Sequence, residues 1–142
     1  MLVSQILKFK GDLVFTASPN ESVSAAAALL HARRVGALVI VNSERVVGIV
    51  SERDIVRIVA ELGEAALNKP VSECMSLDVY FADPAETVDT LMERMTDRRV
   101  RNLPVCRGER LLGIVSIGDL VKSKISEVEA EASGLKAYIA AG

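Results

Sequence analysis

Gly48-Ile49-Val50-Ser51-Glu52-Arg53-Asp54 returns 65 positions later as Gly113-Ile114-Val115-Ser116-Ile117-Gly118-Asp119. The match extends outward from here without a gap. Residues 14–57 align with 79–122, and 17 of the 44 columns are identical. A repeat of this length makes the 142-residue chain two copies of one small unit. A unit of about 60 residues is marginal alone, so the copies are expected to share a core. A cleft between like halves is a natural place for a ligand.

Upstream the offset changes. Val3-Ser4-Gln5-Ile6-Leu7 resembles Val71-Ser72-Glu73-Cys74-Met75, so copy one carries three extra residues, expected in a loop around residues 8–12. Each unit opens with this short segment, expected to be helical. Val14-Phe15-Thr16 and Val79-Tyr80-Phe81 then have strand composition. Ser18-Pro19-Asn20-Glu21 and Asp83-Pro84-Ala85-Glu86 mark a helix entry, with Ser22 and Thr87 as alternative caps. Helices are predicted over residues 23–34 and 88–99, the second with Val88, Leu91, Met92 and Met95 on a core stripe.

Two hairpins follow. Residues 37–41 and 46–50 flank Asn42-Ser43-Glu44-Arg45, and residues 103–106 and 111–115 flank Arg107-Gly108-Glu109-Arg110. A second helix begins after Ser51 and again after Ser116. Residues 63–70 link the copies, with Gly63 as a helix stop and Pro70 as a breaker. The sequence divides into residues 1–66, residues 67–127 and a helical extension over 128–142.

That extension breaks the symmetry. Val121, Ile125, Val128, Ala132, Leu135 and Ile139 alternate spacings of four and three, an apolar helical stripe. Gly134 is expected to divide it into two helices. The stripe has two possible partners, the chain's own body or a second copy.

Composition narrows the function. Half the residues are hydrophobic and the net charge is −2, which opposes nucleic-acid binding through phosphates. Few aromatics are available for base stacking. Cys74 and Cys106 have no metal spacing and fit a reducing compartment. No signal-peptide run or membrane span is present, so a cytoplasmic protein is expected. The one histidine, His31, has no partner at metal spacing, and no metal site or catalytic residue is predicted. The chain is not expected to be an enzyme.

The chemistry lies in the duplicated Ser-x-x-Asp. One reading is a capping box, with the hydroxyl on the N3 amide and the carboxylate reaching back. The other is a ligand grip, because free amides and the helix dipole at a strand–helix junction favour polar or anionic groups. A carboxylate accepting two hydrogen bonds matches the adjacent hydroxyls of a ribose.

The two units resemble the cystathionine-β-synthase (CBS) domain, which occurs in tandem as a Bateman module. The resemblance rests on the two quoted stretches and on Arg101-Asn102-Leu103-Pro104-Val105 before the second hairpin, and it covers nearly the whole chain. It implies a mixed α/β (α+β) fold of two β-α-β-β-α units packed with pseudo-two-fold symmetry, as in a stand-alone bacterial CBS-domain protein. It also implies regulatory binding of adenosine-containing ligands (AMP, ADP, ATP, NAD(H) or S-adenosylmethionine), signalling to a protein partner, and a homodimer.

Carried over residue by residue, Asp54 and Asp119 hold the ribose and Ser51 and Ser116 assist. Gly36, Ala37 and Leu38, and Asn102, Leu103 and Pro104, clasp the adenine. Thr16 and Phe81 form the opposite wall. Arg53, Arg99 and Arg101 are the phosphate candidates, with Arg33 and Arg34 matching Arg98 and Arg99 in copy one. The copies differ at Glu52-Arg53 against Ile117-Gly118, and at Val39 against Pro104. The two clefts are therefore expected to differ in ligand or affinity, one taking a mononucleotide and the other a dinucleotide such as NAD. A ligand-free interaction scaffold and a nucleic-acid binder are the competing functions.

Overall fold

The computed structural model describes residues 1–11 and 13–141. It is a mixed α+β fold with five α-helices and two small sheets among the described residues. In order these are α1 (Val3–Lys10), β1 (Thr16–Ala17), α2 (Val23–Arg33), β2 (Ala37–Asn42), β3 (Arg45–Ser51) and α3 (Glu52–Leu62). Then come α4 (Val88–Arg98), β4 (Asn102–Arg107), β5 (Arg110–Ser116) and α5 (Ile117–Ala141). Two 3-10 turns, Gly63–Asn68 and Val71–Glu73, join α3 to copy two.

The first compact unit contains β1, α2, the β2–β3 hairpin, α3 and both 3-10 turns. Ser22 caps α2, accepting from the Ala25 amide at 3.0 Å. Val23, Ala26 and Leu30 fall on its buried face. They pack with Leu38, Ile40, Val50, Ile58, Ala66, Val71 and Cys74. β1 runs parallel to β2, with Thr16 opposite Val39 and Ala17 opposite Ile40. β3 returns antiparallel through a two-residue turn at Ser43 and Glu44, both with positive φ. That mirror-image turn matches the right-handed twist of its strands.

The second unit contains α1, α4, the β4–β5 hairpin apart from its tip, and α5. Thr87 caps α4, accepting from the Thr90 amide at 3.2 Å, and Val88, Leu91 and Met95 form its buried stripe. The caps are therefore Ser22 and Thr87. Ser18 and Asp83 sit one turn earlier, where their carbonyls accept from the Glu21 and Glu86 amides at 3.0 Å.

These units do not follow the repeat boundaries, because the two copies exchange their opening segments. The Val3 and Ser4 amides donate to the Glu86 and Pro84 carbonyls, and Val88 donates to Met1. In the other unit, Val71 and Ser72 donate to Glu21 and Pro19, and Val23 donates to Lys69. Each opening segment is thus stitched to the helix entry of the other copy by the same three bonds. The motif glycines complete this exchange. A Cβ on Gly113 would lie 2.7 Å from a Leu7 methyl, and one on Gly48 would lie 2.7 Å from the Met75 sulfur and 3.0 Å from the Ser76 carbonyl oxygen. At Gly48 the crossing backbone itself stands 3.0 Å from the missing Cβ, so a side chain there would force the segment to shift, whereas at Gly113 only the flexible end of Leu7 stands in the way.

Three expectations are corrected. The opening strand of copy one is Thr16–Ala17, and copy two keeps only a single parallel bridge, Ala82 to Val105. Val39 donates to the Phe15 carbonyl at 3.2 Å, but the residue at the matching place is Pro104, which has no N–H to donate. Lys8, Phe9 and Lys10 are not loop but the last residues of α1; Asp12, in the same expected loop, lies outside the described residues. Gly134 does not divide the extension, since α5 is one helix of 25 residues. A single glycine costs a helix about 1 kcal/mol, too little to break it between good helix formers.

Candidate functional site

The strand–helix junction after β3 brings together most of the residues expected at the first site. Ala37 pairs with Ser51 across the hairpin, and the Glu52 amide donates to the Gly36 carbonyl at 3.1 Å. One Asp54 carboxylate oxygen accepts from the Ser51 amide at 2.8 Å and from the Ser51 hydroxyl at 3.1 Å. Asp54 is the one buried charged residue among those described, 9% exposed. Its other oxygen meets Arg57 at 3.0 Å, and Arg57 also donates to the Cys74 carbonyl at 3.0 Å. Arg53 and Thr16 are exposed. The Leu38 side chain is fully buried in the core, so at this position only backbone is offered to a ligand.

The junction after β5 repeats the pattern. The Asp119 carboxylate accepts from the Ser116 amide at 2.8 Å, and the Asp119 amide donates back to the Ser116 hydroxyl at 3.2 Å. The Ile117 amide donates to the Arg101 carbonyl at 2.8 Å, as Glu52 does to Gly36. The Leu103 side chain is buried, and so is Pro104, with Asn102 partly exposed. Arg99 and Arg101 are exposed. Arg99 caps α4 in the left-handed region at φ 54°, and Arg34 caps α2 in the same way at φ 53°. Phe81 is exposed and falls in the first unit with Thr16.

The two carboxylates differ in their cations. Lys10, at the end of α1, donates to Asp119 at 2.6 Å and to the Ile114 carbonyl at 2.8 Å. Burial alone would raise the Asp119 carboxyl, but the Lys10 and Ser116 hydrogen bonds outweigh it and hold the group below the ordinary carboxylate range. A pocket of about 480 Å³ opens beside this pair, lined by Met1, Ile6, Phe9, Lys10, Asp119, Lys122, Ser123 and Ser126. Its size suits a small organic ligand. Asn102, Leu103 and Pro104 do not line it.

Lys10, Lys122 and Arg57 carry no motif that marks them in the sequence. Arg57 was legible, because a residue three positions beyond Asp54 shares its helix face. The change of offset near Lys8 marked where copy one departs, but not that α1 would carry Lys10 to the other copy's aspartate.

Burial pushes the thiols of Cys74 and Cys106 up, with the Asp54 carboxylate adding to the effect at Cys74. Both are therefore poor nucleophiles and poor metal ligands at neutral pH. Among the described residues no group of His, Cys, Asp or Glu could hold a metal ion, and no helix is long and apolar enough to cross a membrane.

Comparison with known proteins gives one consistent result. The CBS domain family matches residues 11–61 and 71–126. The structure resembles that of a CBS-domain containing protein from Agrobacterium tumefaciens, with a TM-score of 0.85 and 42% identity over 87% of this chain and 99% of that one. It also resembles the CBS domain pair of protein MJ0100 in complex with 5′-methylthioadenosine and S-adenosyl-L-methionine, with a TM-score of 0.80 and 28% identity over 89% and 98% of the two chains. In sequence, the CBS domain-containing protein YhcV of Bacillus subtilis is 32% identical over 82% of this chain and 83% of its own length. The duplicated junctions, their paired glycines and these matches agree: the chain belongs to the CBS-domain family and carries two CBS domains.

Proposed function

We propose that the chain is a regulatory module that binds adenosine-containing ligands, AMP, ADP, ATP or NAD(H), and passes energy or redox state to a protein partner. The observation that carries this reading is the twice-built Ser–Asp junction, with a carboxylate held 2.8 Å from the serine amide in each copy. The related MJ0100 pair is complexed with two ligands that both contain adenosine, which supports the same chemistry here.

In this reading Asp54 and Asp119 accept from the ribose hydroxyls and Ser51 and Ser116 lie alongside. Backbone at Gly36 to Leu38 faces the adenine in the first unit, with Thr16 opposite, and backbone at Asn102 to Pro104 does so in the second. Arg53, Arg99 and Arg101 meet phosphates. A ribose entering at Asp119 competes with Lys10, and an anionic group on the ligand gives that lysine a new partner. Asp54 has Arg57 instead, so the two sites discriminate differently between ligands. A ligand then biases the module only by its differential affinity for two arrangements. The module acts in the cytoplasm and has no catalytic step of its own.

A second reading is favoured by one observation: the capping boxes at Ser51–Asp54 and Ser116–Asp119 are complete without a ligand. The chain would then be an interaction scaffold. Native mass spectrometry of the purified protein, followed by thermal shift with each nucleotide, separates the two. A ligand at 100 times its dissociation constant stabilises the fold by about 2.7 kcal/mol. Asp54→Ala and Asp119→Ala should each remove one site. No shift with any adenine nucleotide, NAD(H) or S-adenosylmethionine leaves the scaffold.

A further inference from the structure

The apolar stripe of α5 is left uncovered by the chain that carries it. Val121, Ile125, Val128, Leu135 and Ile139 are 39% to 66% exposed, and Ala132 is exposed as well. Only the first turns of α5 are held. Leu120 is buried, Lys124 pairs with Asp89 at 3.1 Å, and the Met1 amino group meets Glu127 at 3.6 Å. The remaining turns project with no neighbour to cover their apolar side. An unsupported helix of this length is marginal in water.

The stripe has a strict heptad register. Ile125, Ala132 and Ile139 take the a positions, and Val121, Val128 and Leu135 take the d positions. Isoleucine fills two of the three a positions, and leucine one of the three d positions beside two valines, so the seam only partly follows the two-stranded pattern of β-branched a with leucine d, and the charges must supply the choice. The flanking charges then choose the partner. The g positions are Lys124, Glu131 and Tyr138, and the e positions are Lys122, Glu129 and Lys136. In a parallel, in-register pair each g residue faces the e residue five positions on in the other helix. Lys124 then faces Glu129, and Glu131 faces Lys136, so every charged g–e pair is attractive. In the antiparallel register that overlaps the whole stripe, Glu131 faces Glu131, Glu129 faces Glu129, and Lys122 faces Lys136, all repulsive. Antiparallel registers that escape this clash leave two of the six apolar positions unpaired. The helix is complementary to itself, in one orientation.

We propose that α5 pairs with α5 of a second copy as a parallel two-stranded coiled coil over residues 121–139. The exposed Lys124–Asp89 pair gives way at little cost, since such surface pairs contribute little.

The test is sedimentation equilibrium of the full chain with three variants. Ile139→Asp, at an exposed site that leaves the body intact, should abolish the α5-dependent dimer. Glu131→Lys turns two attractive pairs into repulsive ones and should weaken association about tenfold. Adding Lys136→Glu to it should restore association to near the starting value. Leu135→Cys should form an intermolecular disulfide on mild oxidation, which the wild-type protein under the same conditions should not. A monomer at every concentration measured overturns the proposal, including one whose α5 captures a different protein. So does a dimer that gives no Leu135→Cys cross-link and ignores Glu131→Lys.

Discussion

Lys10 and Asp119 lie 109 positions apart in the chain and 2.6 Å apart in the fold. The pair joins the end of α1 to the start of α5, and both side chains keep partial contact with water. Its sign with pH follows from the depressed Asp119 carboxyl. That stability is present above the unfolded carboxylate range and is lost as pH falls through the lower folded value. Lys10→Met should therefore cost about 1 kcal/mol at neutral pH. The difference from wild type should shrink toward zero in acid. Urea melts at neutral and at acid pH measure this, and an equal deficit at both would rule the pair out as its source.

Gly48→Ala and Gly113→Ala should destabilise unequally. The new methyl on Gly113 meets only the flexible end of Leu7, whereas on Gly48 it meets Met75 and the backbone carbonyl of Ser76. Overpacking costs about 1–3 kcal/mol, and Gly48→Ala should lie at the upper end. Leu7→Ala should compensate much of Gly113→Ala in a double-mutant cycle, while Met75→Ala should compensate Gly48→Ala only in part.

Arg99→Gly should separate stability from binding. A left-handed conformation costs a side-chain-bearing residue about 1–2 kcal/mol, and glycine avoids that cost. The variant should melt higher than wild type while losing affinity for phosphate-bearing ligands relative to adenosine. Unchanged selectivity would remove Arg99 from the phosphate site. That the same strained arginine recurs at Arg34 is consistent with strain being retained at functional positions.

Ser22→Ala and Thr87→Ala should each cost about 1 kcal/mol, because each side chain accepts from a first-turn amide. Ser18→Ala should cost less, its hydroxyl making a 3.3 Å bond to the Asn20 amide within a turn. Chemical denaturation of the three variants gives the ranking.

The sequence made the repeated elements legible because duplication states them twice. The hairpins, the α4 stripe and the Gly63 stop all lie where local pattern and fold agree. What escaped depended on which copy a segment packs against. No local signal reveals that Leu7 belongs over Gly113, because Leu7 and Met75 are interchangeable apolar residues until the fold pairs them. Lys10 escaped for the same reason. The lost opening strand of copy two is written at Pro104, whose ring leaves no N–H to donate to that strand. Gly134 lowers helix propensity by only about 1 kcal/mol, too little to mark an end inside α5.

The exchanged opening segments have a consequence for how such a chain can exist at all. A single copy on its own would present a glycine-floored groove and a segment shaped to fill it, yet the segment would fit the groove of a neighbour. Two separate copies would therefore have to find each other before either was complete. Joining them in one polypeptide replaces that encounter with a fixed local concentration. Cutting the chain between residues 66 and 67 should accordingly yield two fragments that fold when mixed and not when kept apart.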